Sequence, residues 1–188
     1  MIFEKTTIDG VYNISIEKIE DDRGFFGRIM DVKEFEKKGI KSQYVQSSIS
    51  KSLKKGTFRG IHFQISPNAE SKLIRCIRGK AYTVIIDMRP TSPTFGKSDG
   101  CEISADNYIM RNIPEGCANG TQILEDDSDL FYLTTKNYSP ESERGVKWND
   151  PFFKIKLPLE ITQISEKDES WKPFDQKNPF VWINYMKY

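Results

Sequence analysis

Ala81-Tyr82-Thr83-Val84-Ile85-Ile86-Asp87-Met88, read as an extended chain, sets Tyr82, Val84, Ile86 and Met88 on one side and Ala81, Thr83, Ile85 and Asp87 on the other. Apolar residues fall on both sides, which predicts a strand covered on both faces. Similar segments follow outward from it, each bounded by Gly, Pro, Asn or Asp: Val11 to Ile19, Phe25 to Asp31, Tyr44 to Ser50, Thr57 to Gln64, Lys72 to Arg78, Gly100 to Ser104, Tyr108 to Ile113, Thr121 to Leu124, Leu130 to Thr135 and Phe153 to Leu157. One helical segment, Val32 to Lys38, is barely two turns long. Many short strands with regular punctuation and little helix predict an all-β sandwich or barrel.

The chain has 188 residues, enough for one substantial core. We therefore expect a single domain over 1–188, with a barrel core over about 8–160 and a C-terminal segment over about 165–188. The 28 basic and 27 acidic side chains nearly cancel, so no whole-protein field draws the chain to nucleic acid or to an anionic membrane. Cys76, Cys101 and Cys117 are odd in number and widely spaced, which gives no disulfide framework and fits a reducing cytoplasm. MIFEKTTIDG lacks a basic segment followed by an apolar stretch, and no run approaches the roughly 18 apolar residues of a membrane span. Beyond Ser165 a polar link leads into an aromatic tail with Trp171, Phe174, Phe180, Trp182, Tyr185 and Tyr188. Left in water these rings would be a liability, so they are expected to pack back on the barrel or against a second subunit. A homodimer is expected.

His62 is the only histidine. A lone imidazole among scattered carboxylates is a poor transition-metal site, so no metal is expected. In Arg59-Gly60-Ile61-His62 strict alternation would set the arginine and the histidine on opposite faces. A bulge near Gly60 would turn both into one cavity, joining an anion clamp to a base.

Several motifs in this order resemble the dTDP-4-dehydrorhamnose 3,5-epimerase family: Asp22-Arg23-Gly24-Phe25-Phe26, Arg59-Gly60-Ile61-His62-Phe63-Gln64, Lys72-Leu73-Ile74-Arg75-Cys76, Asp87-Met88-Arg89-Pro90-Thr91-Ser92-Pro93-Thr94-Phe95-Gly96, Ile113-Pro114-Glu115-Gly116, Tyr138-Ser139-Pro140, Trp148-Asn149-Asp150 and Ser165-Glu166-Lys167-Asp168. The resemblance covers roughly residues 8 to 170. It implies a cupin-like antiparallel β-barrel or jelly roll, dimeric and free of cofactor, acting on deoxysugar nucleotides destined for surface polysaccharides. The implied reaction inverts carbons beside the ketone of a nucleoside-diphosphate 4-keto-6-deoxyhexose.

Such an epimerase needs a base on one face of the sugar, a proton donor on the other and positive charge near the ketone oxygen. The resemblance puts His62 in the base position, Asp168 behind it, Tyr132 as the donor and Lys72 near the ketone. Arg23 and Arg59 match phosphate or substrate contacts, Tyr138 matches a ring that stacks on the nucleotide base, and Gln46, Ser47, Ser48, Glu143 and Lys167 align with further contacts. Three positions depart from the family pattern. Asn119 replaces a second pocket histidine, Arg28 stands where an acidic residue is common, and Ser48 stands where asparagine is usual. Asn119 hydrogen-bonds but carries no proton at physiological pH, and a reversed charge at Arg28 alters substrate preference. These departures leave open a catalytically silent nucleotide-sugar-binding barrel and a 3,4-ketoisomerase, although the latter chemistry commonly employs more than one histidine.

Overall fold

The computed structural model describes residues 1–177 of the chain. Its framework is two antiparallel sheets laid face to face. The six-stranded sheet runs β1 (Ile2–Lys5), β2 (Tyr12–Ser15), β10 (Met110–Ile113), β7 (Lys72–Arg78), β12 (Ser128–Thr134) and β5 (Gln46–Ser52). The five-stranded sheet runs β13 (Glu143–Gly145), β6 (Phe58–Gln64), β11 (Cys117–Ile123), β8 (Lys80–Asp87) and β9 (Ser98–Ser104). A separate hairpin, β3 (Lys18–Asp21) with β4 (Gly24–Gly27), stands outside both. This is the all-β, cupin-like jelly roll that the sequence leads one to expect.

The segment quoted first behaves as its pattern requires. Ala81 and Ile85 face the other sheet and pack with Ile74, Cys76, Ile103, Ile113, Ile123 and Leu130. Val84, Ile86 and Met88 face outward, yet are covered by Val146, Phe153 and Phe174 from the chain that follows β13. The two polar residues on the inner side are both satisfied. Thr83 Oγ1 accepts from the buried guanidinium of Arg111 at 3.2 Å, and Asp87 accepts from Arg89, Ser92 and Thr94 at 2.5 to 2.8 Å.

The outer face of the six-stranded sheet is covered by α1 (Val32–Glu36), whose Phe35 packs with Ile14, Ile40, Leu73 and Met110. The helix starts where it does because Asp31 Oδ1 accepts from the Lys33 and Glu34 amides at 3.0 and 3.2 Å.

Four sequence expectations need adjustment. Val11 to Ile19 divides between β2 and β3, because Ile16 turns into the core while Lys18–Asp21 leaves for the exposed hairpin. Phe25 to Asp31 is a strand only as far as Gly27, since Asp31 caps the helix. Phe153 to Leu157 is not a strand: Pro151 and Pro158 bracket it, Lys154 takes a φ of 50°, and Phe153 goes into a ring cluster 5.0 Å from Phe152 and 5.2 Å from Phe174. Finally β1, β13 and α2 (Glu166–Glu169) are elements that periodicity did not announce, being only three or four residues long. Trp171 and Phe174 pack back on the barrel, 3% and 7% exposed. Phe180, Trp182, Tyr185 and Tyr188 lie outside the described residues.

Candidate active site

His62 lies on β6 between Gly145 of β13 and Asn119 of β11. Across from β11, Asn119 opposes His62 and Thr121 opposes Arg59, so that Gly60 and Ile61 share the single partner Gly120. This is the bulge the sequence calls for, and it brings Arg59 and His62 to the same face. Only glycine serves at its first position. Gly60 has a φ of +112°, and a Cβ there would lie 2.7 Å from the Asn119 carbonyl oxygen and 2.8 Å from Gly120 Cα.

Arg59 and His62 open into a cavity of about 860 Å³, lined also by Lys72, Asn119, Tyr132, Lys167 and Asp168. Lys72 and Tyr132 arrive from the opposite sheet: Lys72 begins β7, and Tyr132 sits on β12 across from Ile74. Lys167 and Asp168 come from α2, which is capped by Ser165, whose Oγ accepts from the Asp168 amide at 3.1 Å. Behind them Trp171 lies flat on Gly145, where an added Cβ would stand 2.0 Å from the indole.

The electrostatics of the cavity favour a neutral base. Burial, and then the Lys72 ammonium, push the His62 imidazole down from 6.5 to about 4, against the opposite pull of Asp168 and Glu143. Asp168 is only 6% exposed, and its Oδ2 accepts from the Gly60 amide at 3.0 Å rather than from the imidazole. Its influence on His62 is therefore a field across space, applied through a carboxylate that the bulge itself anchors. Burial likewise raises the Tyr132 phenol to about 12, with the Arg59 guanidinium opposing the rise, so the hydroxyl keeps its proton. Lys72 Nζ donates to Asn119 Oδ1 at 3.2 Å and pairs with Glu70 Oε1 at 3.2 Å.

At the rim, Lys167 Nζ donates to both carboxylate oxygens of Glu143 at 2.6 and 2.5 Å, and Tyr138 Oη donates to the same group at 2.9 Å. Glu143 is buried, which works to raise its carboxyl, yet these two donors hold it below the usual carboxylate range. The Tyr138 ring is 55% exposed, and Lys167 Nζ sits 5.9 Å from its centre. Arg59 is tied to β5 by Nε to Ser52 Oγ and Nη2 to the Lys51 carbonyl, both at 3.1 Å.

Other named residues lie farther out. Gln46 and Ser48, opposite Thr134 and Tyr132, share the cavity-facing side of β5 at its exposed edge, while Ser47 is on the other side. Arg23 stays on the exposed hairpin paired with Asp21, and Arg28 lies 3.8 Å from Asp31 beside a separate cleft with Met1, Glu17 and Phe26. Neither arginine reaches the cavity of its own chain. Glu70, Ser50 and Thr121 are site residues the sequence did not single out. Glu70 lies just outside β7, which begins at Lys72, so strand periodicity gave no signal that ties it to the lysine. Among the described residues, no three His, Cys, Asp or Glu side chains converge as a metal site would require.

A comparison with known proteins finds that a sequence model described as dTDP-4-dehydrorhamnose 3,5-epimerase matches residues 5–176. The chain belongs to the dTDP-4-dehydrorhamnose 3,5-epimerase family. The family's dTDP-4-dehydrorhamnose 3,5-epimerase from Shigella flexneri is 39% identical over 178 residues, 94% of this chain and 98% of that one. The crystal structure of the enzyme of the same name from Elizabethkingia anophelis superposes with a TM-score of 0.91 at 36% identity, covering 95% of this chain and 98% of the other. That of the dTDP-6-deoxy-D-glucose-3,5-epimerase from Legionella pneumophila, in complex with dTDP-4-keto-L-rhamnose, gives 0.87 at 34% identity and covers 99% of both. An isomerase of deoxysugar biosynthesis is thus the class to which this epimerase-family chain belongs. No helix among its described residues is long and apolar enough to cross a membrane.

Proposed function

We propose that the chain inverts the configuration at C3, C5 or both of a nucleoside-diphosphate 4-keto-6-deoxyhexose, or of a dideoxy relative, by removing a proton beside the ketone. The supporting observation is that a base held neutral, a phenol held protonated and an ammonium line one cavity. In this reading His62 takes the hydrogen from the carbon, and the electrons move onto the ketone oxygen, where Lys72 meets the developing charge. Tyr132 returns a proton to the opposite face of the same carbon. The negative field of Asp168 stabilises the imidazolium while it lasts. Arg59 and Lys167 receive the diphosphate, with Tyr138 beside them offering a ring to the nucleotide base. These steps use side chains alone.

The same reading includes a homodimer. Among the described residues strand β5 is an open sheet edge, and Val45, Ile49 and Leu53 on or beside it are 62%, 66% and 62% exposed. Ile19 and Phe26 of the hairpin are 69% and 64% exposed. Such surfaces are ordinarily covered. A second copy would cover them, and would give Arg23 and Arg28 a neighbour's cavity rim to serve. The free thiols Cys76, Cys101 and Cys117 suit a cytoplasmic setting.

The test is incubation in heavy water with thymidine-, cytidine- and guanosine-linked 4-keto sugars, reading deuterium position by position. Deuterium is expected at C3, C5 or both for at least one of them. Binding without exchange across the whole panel would overturn the reading and leave the silent barrel that Asn119 suggests.

A further inference from the structure

We propose that Glu70 is the positioning residue that holds the Lys72 ammonium on the cavity side of β7, where the ketone oxygen of the substrate arrives. The inference rests on the function proposed above and adds to it a residue that touches no substrate. Glu70 does not line the cavity; it stands behind Lys72.

A lysine is a compact charge on a flexible four-carbon stem, and the ammonium goes wherever its partners hold it. Lys72 borders two hollows. Besides the main cavity it borders a second hollow of about 200 Å³, shared with Ser71, Arg89 and Asn112. Two contacts decide between them: Glu70 Oε1 at 3.2 Å and Asn119 Oδ1 at 3.2 Å. Of these only Glu70 carries charge. The side chains of Lys72 and Glu70 are 13% and 8% exposed, so salt and water screen their attraction much less than they would a surface pair.

The backbone that carries Glu70 is itself fixed. The Ser71 amide donates to Thr135 Oγ1 at 2.8 Å, and the Ser71 carbonyl accepts from the Thr135 amide at 3.0 Å. Glu70 therefore acts from a pinned segment rather than from a loose turn. An ammonium has three donors. With Glu70 and Asn119 occupying two, one N–H remains to meet the oxygen on which charge develops. A donor fixed before the reaction begins needs no reorganisation at the moment the enolate forms, so the contribution should appear in turnover rather than in ground-state binding.

The experiment measures deuterium wash-in with the full chain and whichever 4-keto nucleotide sugar the wild type exchanges. Glu70→Ala should lower kcat about 10- to 100-fold, somewhat less than loss of an oxyanion donor itself, with KM within about twofold. Glu70→Gln keeps an acceptor of the same reach without the charge, and should fall between. It also carries the test if the alanine variant does not fold. In a Lys72→Met background either change should cost nothing more, because there is no ammonium left to hold. Wild-type turnover in Glu70→Gln and Glu70→Ala, a loss confined to KM, or an equal loss in the Lys72→Met background would each overturn the proposal. Absence of exchange in the wild type would instead sink the proposed function, so the two failures are distinguishable.

Discussion

Strands β7 and β12 each run from a wet end to a dry one. On β7 the inward residues are Lys72, then Ile74, then Cys76; on β12 they are Tyr132 and, two residues earlier, Leu130. Ile74, Cys76 and Leu130 are fully buried in the core between the sheets, whereas Lys72 and Tyr132 line the cavity. On β11 the change happens twice, since Asn119 and Thr121 line the cavity while Cys117 and Ile123 on either side belong to the core. The pairing of β11 with β8 runs unbroken through both regions, and that of β12 with β7 shifts register only between Asp129 and Leu130. Along β7, β11 and β12 the difference therefore lies chiefly in the side chains. Where they are aliphatic the sheets close on one another, and where they are polar a space remains that only water or a polar ligand satisfies.

The contrast can be broken from either end. At the wet end, His62→Asn should lower proton exchange by about 10²- to 10⁴-fold, the usual worth of a general base, with the circular dichroism spectrum and thermal midpoint close to wild type. A retained rate would move the base elsewhere. At the dry end, Ile85→Ala should cost about 2–5 kcal/mol of unfolding free energy in a denaturant titration while leaving kcat per folded molecule unchanged. An equal loss of turnover there would mean that the two regions are not separable. Between them lies Gly145, whose missing Cβ leaves room for the Trp171 ring behind His62. Gly145→Ala should cost about 1–3 kcal/mol of stability through overpacking. It should also raise KM several-fold, because the Trp171 segment continues from the helix that carries Lys167 and Asp168.

How much of this was legible in the sequence follows the same division. The dry region was readable because its residues repeat with period two, as Ala81 to Met88 do, and both faces of that strand are covered as the pattern implies. The bulge was readable from Gly60, where a glycine between Arg59 and His62 is the local means of changing parity. Phe153 to Leu157 misled because Phe153, Ile155 and Leu157 alternate with two lysines as they would in a half-buried strand, whereas here they pack into an apolar cluster between two prolines. The rim was least legible. Tyr138, Glu143 and Lys167 meet through bonds between residues 5 and 24 positions apart, and no local pattern records such a closure. Arg23 and Arg28 lie off the cavity of their own chain, because the order of motifs along a chain does not record which cavity their side chains face. Glu70 was missed for another reason: outside a strand, a carboxylate two residues from a lysine is usually solvated, and only its 8% exposure marks this one.

In the proposed reaction the base is an imidazole kept neutral by burial and by the neighbouring Lys72 ammonium. Neutral His62 is the active form, so activity is present above its folded value and is lost as pH falls through that value, which stands at about 4 rather than the ordinary 6.5. The measurement is kcat/KM for deuterium wash-in between pH 4 and 8, with tryptophan fluorescence confirming the fold at each point. A plateau through pH 6.5 is expected, with the acid limb well below pH 6 and moving upward in Lys72→Met. An acid limb at about 6.5 that Lys72→Met does not move would contradict it.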